Sequence, residues 1–201
     1  HLKNAFVGDH TEVTVATGDS ILIGDVSDSG NTKRDTVQGL LDLVPAAATT
    51  HGTLTASTSG TSIDFGSIPA GVTHIRAMYN VVSLSGTANH RFQLGDGGGI
   101  EGSGYGGAPL YHSGNGSYTN GAVTAGLEWG PGQADNTMSA TVCLDLMDPD
   151  TFLWSMYVIG ASANDNNGAW SSSSKALSAE LTQVRFTTST GSDTFDAGSV
   201  N

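Results

Sequence analysis

The chain has 201 residues, a net charge of −12 and only 7 Lys and Arg, enough for one sizeable domain or a domain with a small appendage. That charge repels a phosphate backbone and an anionic membrane surface, and so argues against both as partners. With 28 Gly, 5 Pro and 13% charged residues, the composition fits an all-β protein with many tight turns better than an ordinary cytosolic enzyme.

The chain opens on His1 and Leu2 in place of Met, so a fragment, a processed form or a tag remnant is expected. Glu12–Ala16 alternates and Ser20–Asp25 is a short apolar run, and both read as strands. Asp28-Ser29-Gly30-Asn31 is a turn cluster. Val37, Leu40, Leu41 and Val44 then recur at helical spacing, with Thr36 as N-cap and Pro45 as stop. This piece is too small to bury its own apolar face and is expected to need the main domain or other copies of itself. Residues 45–50, Pro-Ala-Ala-Ala-Thr-Thr, read as a linker. The expected division is thus a connector over 1–50 and a β-domain over 51–201.

From His51 the pattern is strand, turn, strand, with candidate strands at 51–57, 62–66, 73–84, 90–95, 109–112, 121–129, 138–147, 151–160 and 178–188. Met138–Met147 places Ala140, Val142, Leu144 and Leu146 on one face and Thr141, Cys143 and Asp145 on the other, the mark of a half-buried antiparallel strand. Asp148-Pro149-Asp150 turns the chain into its hairpin partner, Thr151–Ile159. A second turn is expected at 164–168. The alternation of Leu181, Val184 and Phe186 slips near Gln183, as at a β-bulge. About eight strands of this length predict an antiparallel, jelly-roll-like β-sandwich. No stretch is apolar enough to cross a bilayer as a helix.

Several phrases carry a resemblance. They are residues 19–42 (Asp-Ser-Ile-Leu-Ile-Gly-Asp through Gly-Leu-Leu-Asp), Ile68–Arg76, Gln93–Tyr105 and Asp193–Asn201. The first resembles the short strand pair and helical turn that precede the distal domain of bacteriophage tail fibres, and the others are similar to the C-terminal β-domain of such virion proteins. The resemblance implies a structural role on the exterior of the virion, a homotrimer, and attachment to other virion proteins through the N-terminal region. In the look-alikes, Asp-Ala-Gly-Ser-Val-Asn runs on into a final strand. Here the given sequence stops at Asn201, so that final strand is expected to be either missing or not required.

Catalytic and metal readings find little support. The glycines at 95–99 and 102–107 lack the following helix and the lysine of a phosphate loop, and read as turns. Asp96 and Glu101 could approach each other as a glycosidase pair would, but surface turns explain them more simply. Asp145, Asp148 and Asp150 follow the same logic. Residues 165–168 (Asp-Asn-Asn-Gly) lack the alternation and distal Glu of a calcium loop. The six histidines show no ligand spacing, though His74 and His90 would meet if 73–84 and 90–95 formed a hairpin. Cys143, the single cysteine, leaves no disulfide framework and no activating His nearby. No Gly-x-Ser-x-Gly elbow is present.

What remains is an aromatic and polar loop set: Tyr105, Tyr111, His112 and Tyr118 in the Gly, Ser and Asn-rich stretch 95–121, with Trp170 after the Asn-rich turn. Aromatic faces beside amides suit carbohydrate, while pinning of long loops to the sandwich is the plainer account of them. The expected function is a virion structural protein, a tail-fibre module that helps attach to a host-surface glycan, with no catalysis, cofactor or metal. The alternatives are a capsid decoration or head-fibre protein and, from another class, a polysaccharide-degrading enzyme.

Overall fold

A computed structural model describes residues 14–25, 27, 29–43, 50–113, 116–119, 121–130, 132–134, 136–164 and 166–201, with the side chains of 25 and 110–119 outside that description. The chain divides into two units, His1–His51 and Gly52–Asn201.

In the first unit, β1 (Ser20–Asp25) pairs antiparallel with β2 (Asn31–Thr36), in register from Ser20 opposite Thr36 to Asp25 opposite Asn31. The turn places Ser29 and Gly30 at φ of 54° and 79°, where glycine costs nothing and serine is tolerated. A single helical turn, α1 (Val37–Leu41), follows, and the Thr36 hydroxyl accepts from the Gly39 N–H at 3.0 Å as the expected N-cap. None of its side chains is buried, and Leu22, Leu40 and Leu43 stand exposed. Residues 14–16 form no strand. Glu12, Val13 and the stop at Pro45 lie outside the described residues.

The second unit is all-β. Its larger sheet has eight strands in the order β3 (Thr55–Ala56), β15 (Phe195–Val200), β5 (His74–Leu84), β11 (Met138–Asp148), β12 (Leu153–Ser162), β13 (Gly168–Ala176), β8 (Gly106–Ser113) and β9 (Gly116–Thr119). The smaller runs β10 (Leu127–Trp129), β6 (His90–Asp96), β14 (Gln183–Thr188) and β4 (Ser62–Phe65), with β7 (Gly99–Ile100) also paired to β6. All pairings are antiparallel.

Alternation sends one face of each sheet into a shared core. Val82, Leu84, Val142, Leu144, Trp154, Met156 and Val158 come from the larger sheet, and Phe92, Leu94, Leu127, Trp129, Val184 and Phe186 from the smaller. Tyr79 crosses between them, its ring 4.7 Å from Phe186 and 5.1 Å from Trp129. Burial of each large apolar side chain contributes about 1.5–3 kcal/mol. The antiparallel all-β class is therefore present. The successive strands β11, β12 and β13 lie side by side in one sheet as a meander.

Several expected strands differ. The 51–57 strand shrinks to Thr55–Ala56 and the 121–129 strand to Leu127–Trp129, because glycines and Ala-Val-Thr-Ala at 121–126 leave only one bridge, Gly107 to Val123. Residues 178–182 are irregular, although Leu181 still enters the core. The slip at Gln183 marks the start of β14, which pairs in unbroken register; the bulges sit instead in β5, β11 and β15. β5 and β6 occupy opposite sheets, so they form no hairpin. β13 was not anticipated: Ser171 and Ser173 occupy its inward positions, where a hydrophobic pattern looks for aliphatic side chains.

Candidate functional site

Asp96 ends β6 and Glu101 follows β7, with Gly97-Gly98 turning between Asp96 and its partner Gly99, whose φ of 121° needs glycine. The turn brings the two carboxylates to Ser178, which follows β13. Asp96 Oδ2 accepts from Ser178 Oγ at 2.5 Å and Oδ1 from the Gly98 N–H at 2.8 Å. Glu101 Oε1 accepts from the Ser178 N–H at 2.8 Å, and Oε2 pairs with Lys175 Nζ. Lys175 in turn lies 5.7 Å from the centroid of the Tyr105 ring, and the Tyr105 hydroxyl accepts from the Leu94 N–H at 2.7 Å.

Electrostatics decide what this pair can do. Hydrogen bonds from Ser178 and Gly98 hold the Asp96 carboxyl below the usual range. Burial works to raise Glu101, but its bonds with Lys175 and Ser178 together outweigh it and hold that carboxyl low too. A glycosidase needs one carboxyl raised so that it can donate a proton. Here both favour the ionised form and are occupied by intramolecular donors.

Three further ion pairs engage described charges. Arg185 grips Asp64 through two bonds of 2.6 and 2.7 Å, and Arg91 holds Glu128 beside an open depression of about 350 Å³ lined by residues 121–125. His74 Nδ1 meets Asp145 Oδ1 at 2.7 Å on the solvent side of the larger sheet. His90 is buried in the core between the Tyr79 and Trp129 rings. Among the described residues, no three His, Cys, Asp or Glu side chains gather into a metal-binding group. No helix among them is long and apolar enough to cross a membrane.

Of the five aromatic and histidine positions expected to form one ligand surface, Tyr105 is set apart from the other four, which lie on the adjacent strands β8, β9 and β13. Tyr105 is 3% exposed and belongs to the core, which corrects its placement on a surface loop. Tyr111 and His112 lie on β8 and Tyr118 on β9, so the supposed long loop is a hairpin, with Tyr111 opposite Tyr118. Trp170 lies on β13 opposite Leu110 and is 48% exposed. Period-two alternation gives Trp170 and His112 one register parity and Tyr111 and Tyr118 the other.

The missed features lie around these. Lys175 and Ser178 were hidden in a Ser-rich stretch. On the outer face of the larger sheet, Trp170 is directly opposite Ile159, Ile159 opposite Thr141, and Thr141 opposite Met78, a row across four strands. Beside it Tyr157 faces Cys143, whose hydrogen bond holds the phenol above its usual range. At the β12–β13 turn, Ser162, Ala163, Asn164 and Asn166 line an open polar depression of about 460 Å³. Asn164 Oδ1 there accepts from the Thr137 N–H at 3.0 Å. Asp165 lies outside the described residues. No protein family, curated protein or solved structure matches the chain.

Proposed function

We propose that this chain is a non-enzymatic structural module of a bacteriophage particle, a tail-fibre module that contributes to attachment at the host surface. The observation that carries the reading is how polar groups are distributed. The carboxylate pair at Asp96 and Glu101 is ionised and bonded internally, whereas the described residues lining the open depression at the β12–β13 turn, Ser162, Ala163, Asn164 and Asn166, offer uncharged amides and a hydroxyl. Uncharged amides bind sugar hydroxyls without doing chemistry on them. The virion assignment is supported by the resemblance of residues 19–42, 68–76, 93–105 and 193–201 to fibre proteins. In the first unit, exposed Leu22, Leu40 and Leu43 suit a contact with another virion protein.

The test is localisation by electron microscopy of labelled chain on intact particles, with purified chain as a competitor of adsorption. Label at the tail and slowed adsorption are expected. Label confined to the head, or purified chain adding to bare capsids, would replace the reading with a decoration protein. Release of product from a host glycan would replace it with an enzyme.

A further inference from the structure

β12 is apolar on both sides. Trp154, Met156 and Val158 fill the core, while Tyr157 and Ile159 point outward, 40% and 63% exposed. A strand that is apolar on both faces is one that is covered on both. Its neighbours extend the outer apolar surface, with Trp170 on β13 and Met78 and Val81 on β5, all more than 40% exposed.

Charge points to what covers it. The chain carries −12, which makes two copies repel wherever acidic surfaces meet. The outward positions of β5, β11, β12 and β13 hold Arg76, Asp145 with the His74 bonded to it, and Asp148, which the β11 bulge sets opposite the outward Leu153, so one Arg stands against two Asp and this face carries only a small part of the chain's negative charge. The size also fits. Five strands from β5 to β8, of eight to eleven residues each, make a face of about 24 by 30 Å, roughly 700 Å². A partner in a standard interface contributes about 800 Å².

We propose that the outer face of the eight-stranded sheet is the surface through which copies of this chain associate, with the row Trp170, Ile159 and Met78 at its centre. The occupant is another copy of the same chain, because the face carries little of the chain's own charge and matches an interface in area. Strand pairing needs no change, since the face packs through side chains and leaves the sheet's hydrogen bonds intact. The inference is independent of the attachment reading.

The experiment is light scattering and sedimentation of the full chain. A mass that is a multiple of 20.5 kDa is expected. Ile159→Arg and Trp170→Glu, on separate strands, should each weaken association about 30-fold or more while keeping a cooperative melt. Thr58→Arg, in the turn between β3 and β4, should leave it unchanged. A readout free of folding failure is the wild-type emission spectrum: Trp129 and Trp154 are buried in each copy, so a red shift on dilution reports Trp170 leaving the interface. A wild-type monomer, or folded Ile159→Arg and Trp170→Glu variants that stay assembled, would overturn the proposal. Retained assembly in those variants would assign association to another surface.

Discussion

His90 stacks on Trp129 inside the sandwich, ring centroids 5.8 Å apart and planes 18° from parallel. The edge of the pair meets Tyr79, 5.3 Å from the imidazole centroid. Among the described residues, the imidazole Nδ1, the indole N–H and the tyrosine hydroxyl find no hydrogen-bonding partner. Polar groups so placed are costly, and a charge among them is costlier still.

Acid should therefore destabilise this protein in a window that His90 defines. Burial lowers its pKa to about 4, against an unfolded value of about 6.5. The unfolded chain binds the proton first, so stability is complete above pH 6.5 and falls as pH drops towards 4. The expected loss is about 3 kcal/mol. Urea unfolding at a series of pH values checks it, and His90→Phe, which keeps a ring against Trp129, should flatten the curve between those limits. A wild-type curve already flat there would contradict the assignment.

β11 and β12 were legible because each carries a strong alternation and the Asp148-Pro149-Asp150 turn sits between them. β13 and β15 were not. Ser173 is accepted in the interior opposite Gly107, where its hydroxyl donates to the Gly106 carbonyl at 3.3 Å, and Ser171 is buried opposite Pro109. That acceptance depends on β8, which is remote in sequence. The apposition of Asp96 and Glu101 was foreseeable from their spacing, but the ionised state of both comes from Ser178 and Lys175, some 75 residues later. Tyr105 was misplaced for a related reason: the Gly-rich segment around it reads as an exposed loop until the Leu94 amide supplies a buried partner. A one-sided pattern also hid the outward Ile159, which reads as one more core residue of its strand.

The bulge at the β5–β15 pairing should be intolerant of any side chain at Gly198. Its φ is 89°, and a Cβ there would run into the carbonyl oxygens of Asn80 and Val81. Val81 itself holds a φ of 54°, a conformation that a β-branched residue rarely adopts. Gly198→Ala combines backbone strain with a backbone clash, and should cost about 2–3 kcal/mol. The same change at Gly66, where a Cβ meets nothing within 4 Å and φ is not positive, should cost little. Thermal melts of the two variants make the comparison.

Glu101 and Lys175 should behave as a coupled pair. Lys175 is 7% exposed and its ammonium is engaged by Glu101 and the Tyr105 ring. Glu101→Gln leaves that ammonium without its counter-ion, and Lys175→Met leaves the partly exposed carboxylate with Ser178 alone. Each single change should cost about 2 kcal/mol, less than a fully buried pair because water still reaches Glu101. The double variant should cost less than the sum, and a double-mutant cycle measures the difference. Because both Asp96 and Glu101 are held below the usual range, their contribution is present above the ordinary carboxylate pKa and is lost as pH falls through the lowered values. That second acid step lies below the His90 window and should survive in His90→Phe.

Tyr105 separates packing from recognition. Its ring is in the core and its hydroxyl accepts from the Leu94 N–H, so Tyr105→Phe strands a buried backbone donor. The cost should be about 1–2 kcal/mol, read as a lower urea midpoint with an unchanged slope. Burial also pushes the phenol up to about 12, with the Glu101 carboxylate adding to the rise and the Leu94 N–H opposing it. Absorbance titration should therefore find this tyrosine silent through pH 10 until the fold opens. If Tyr105 served a ligand instead, Tyr105→Phe would abolish binding to host cells at full stability. The buried hydroxyl predicts the opposite pattern: reduced stability, with cell binding intact at temperatures below the melt.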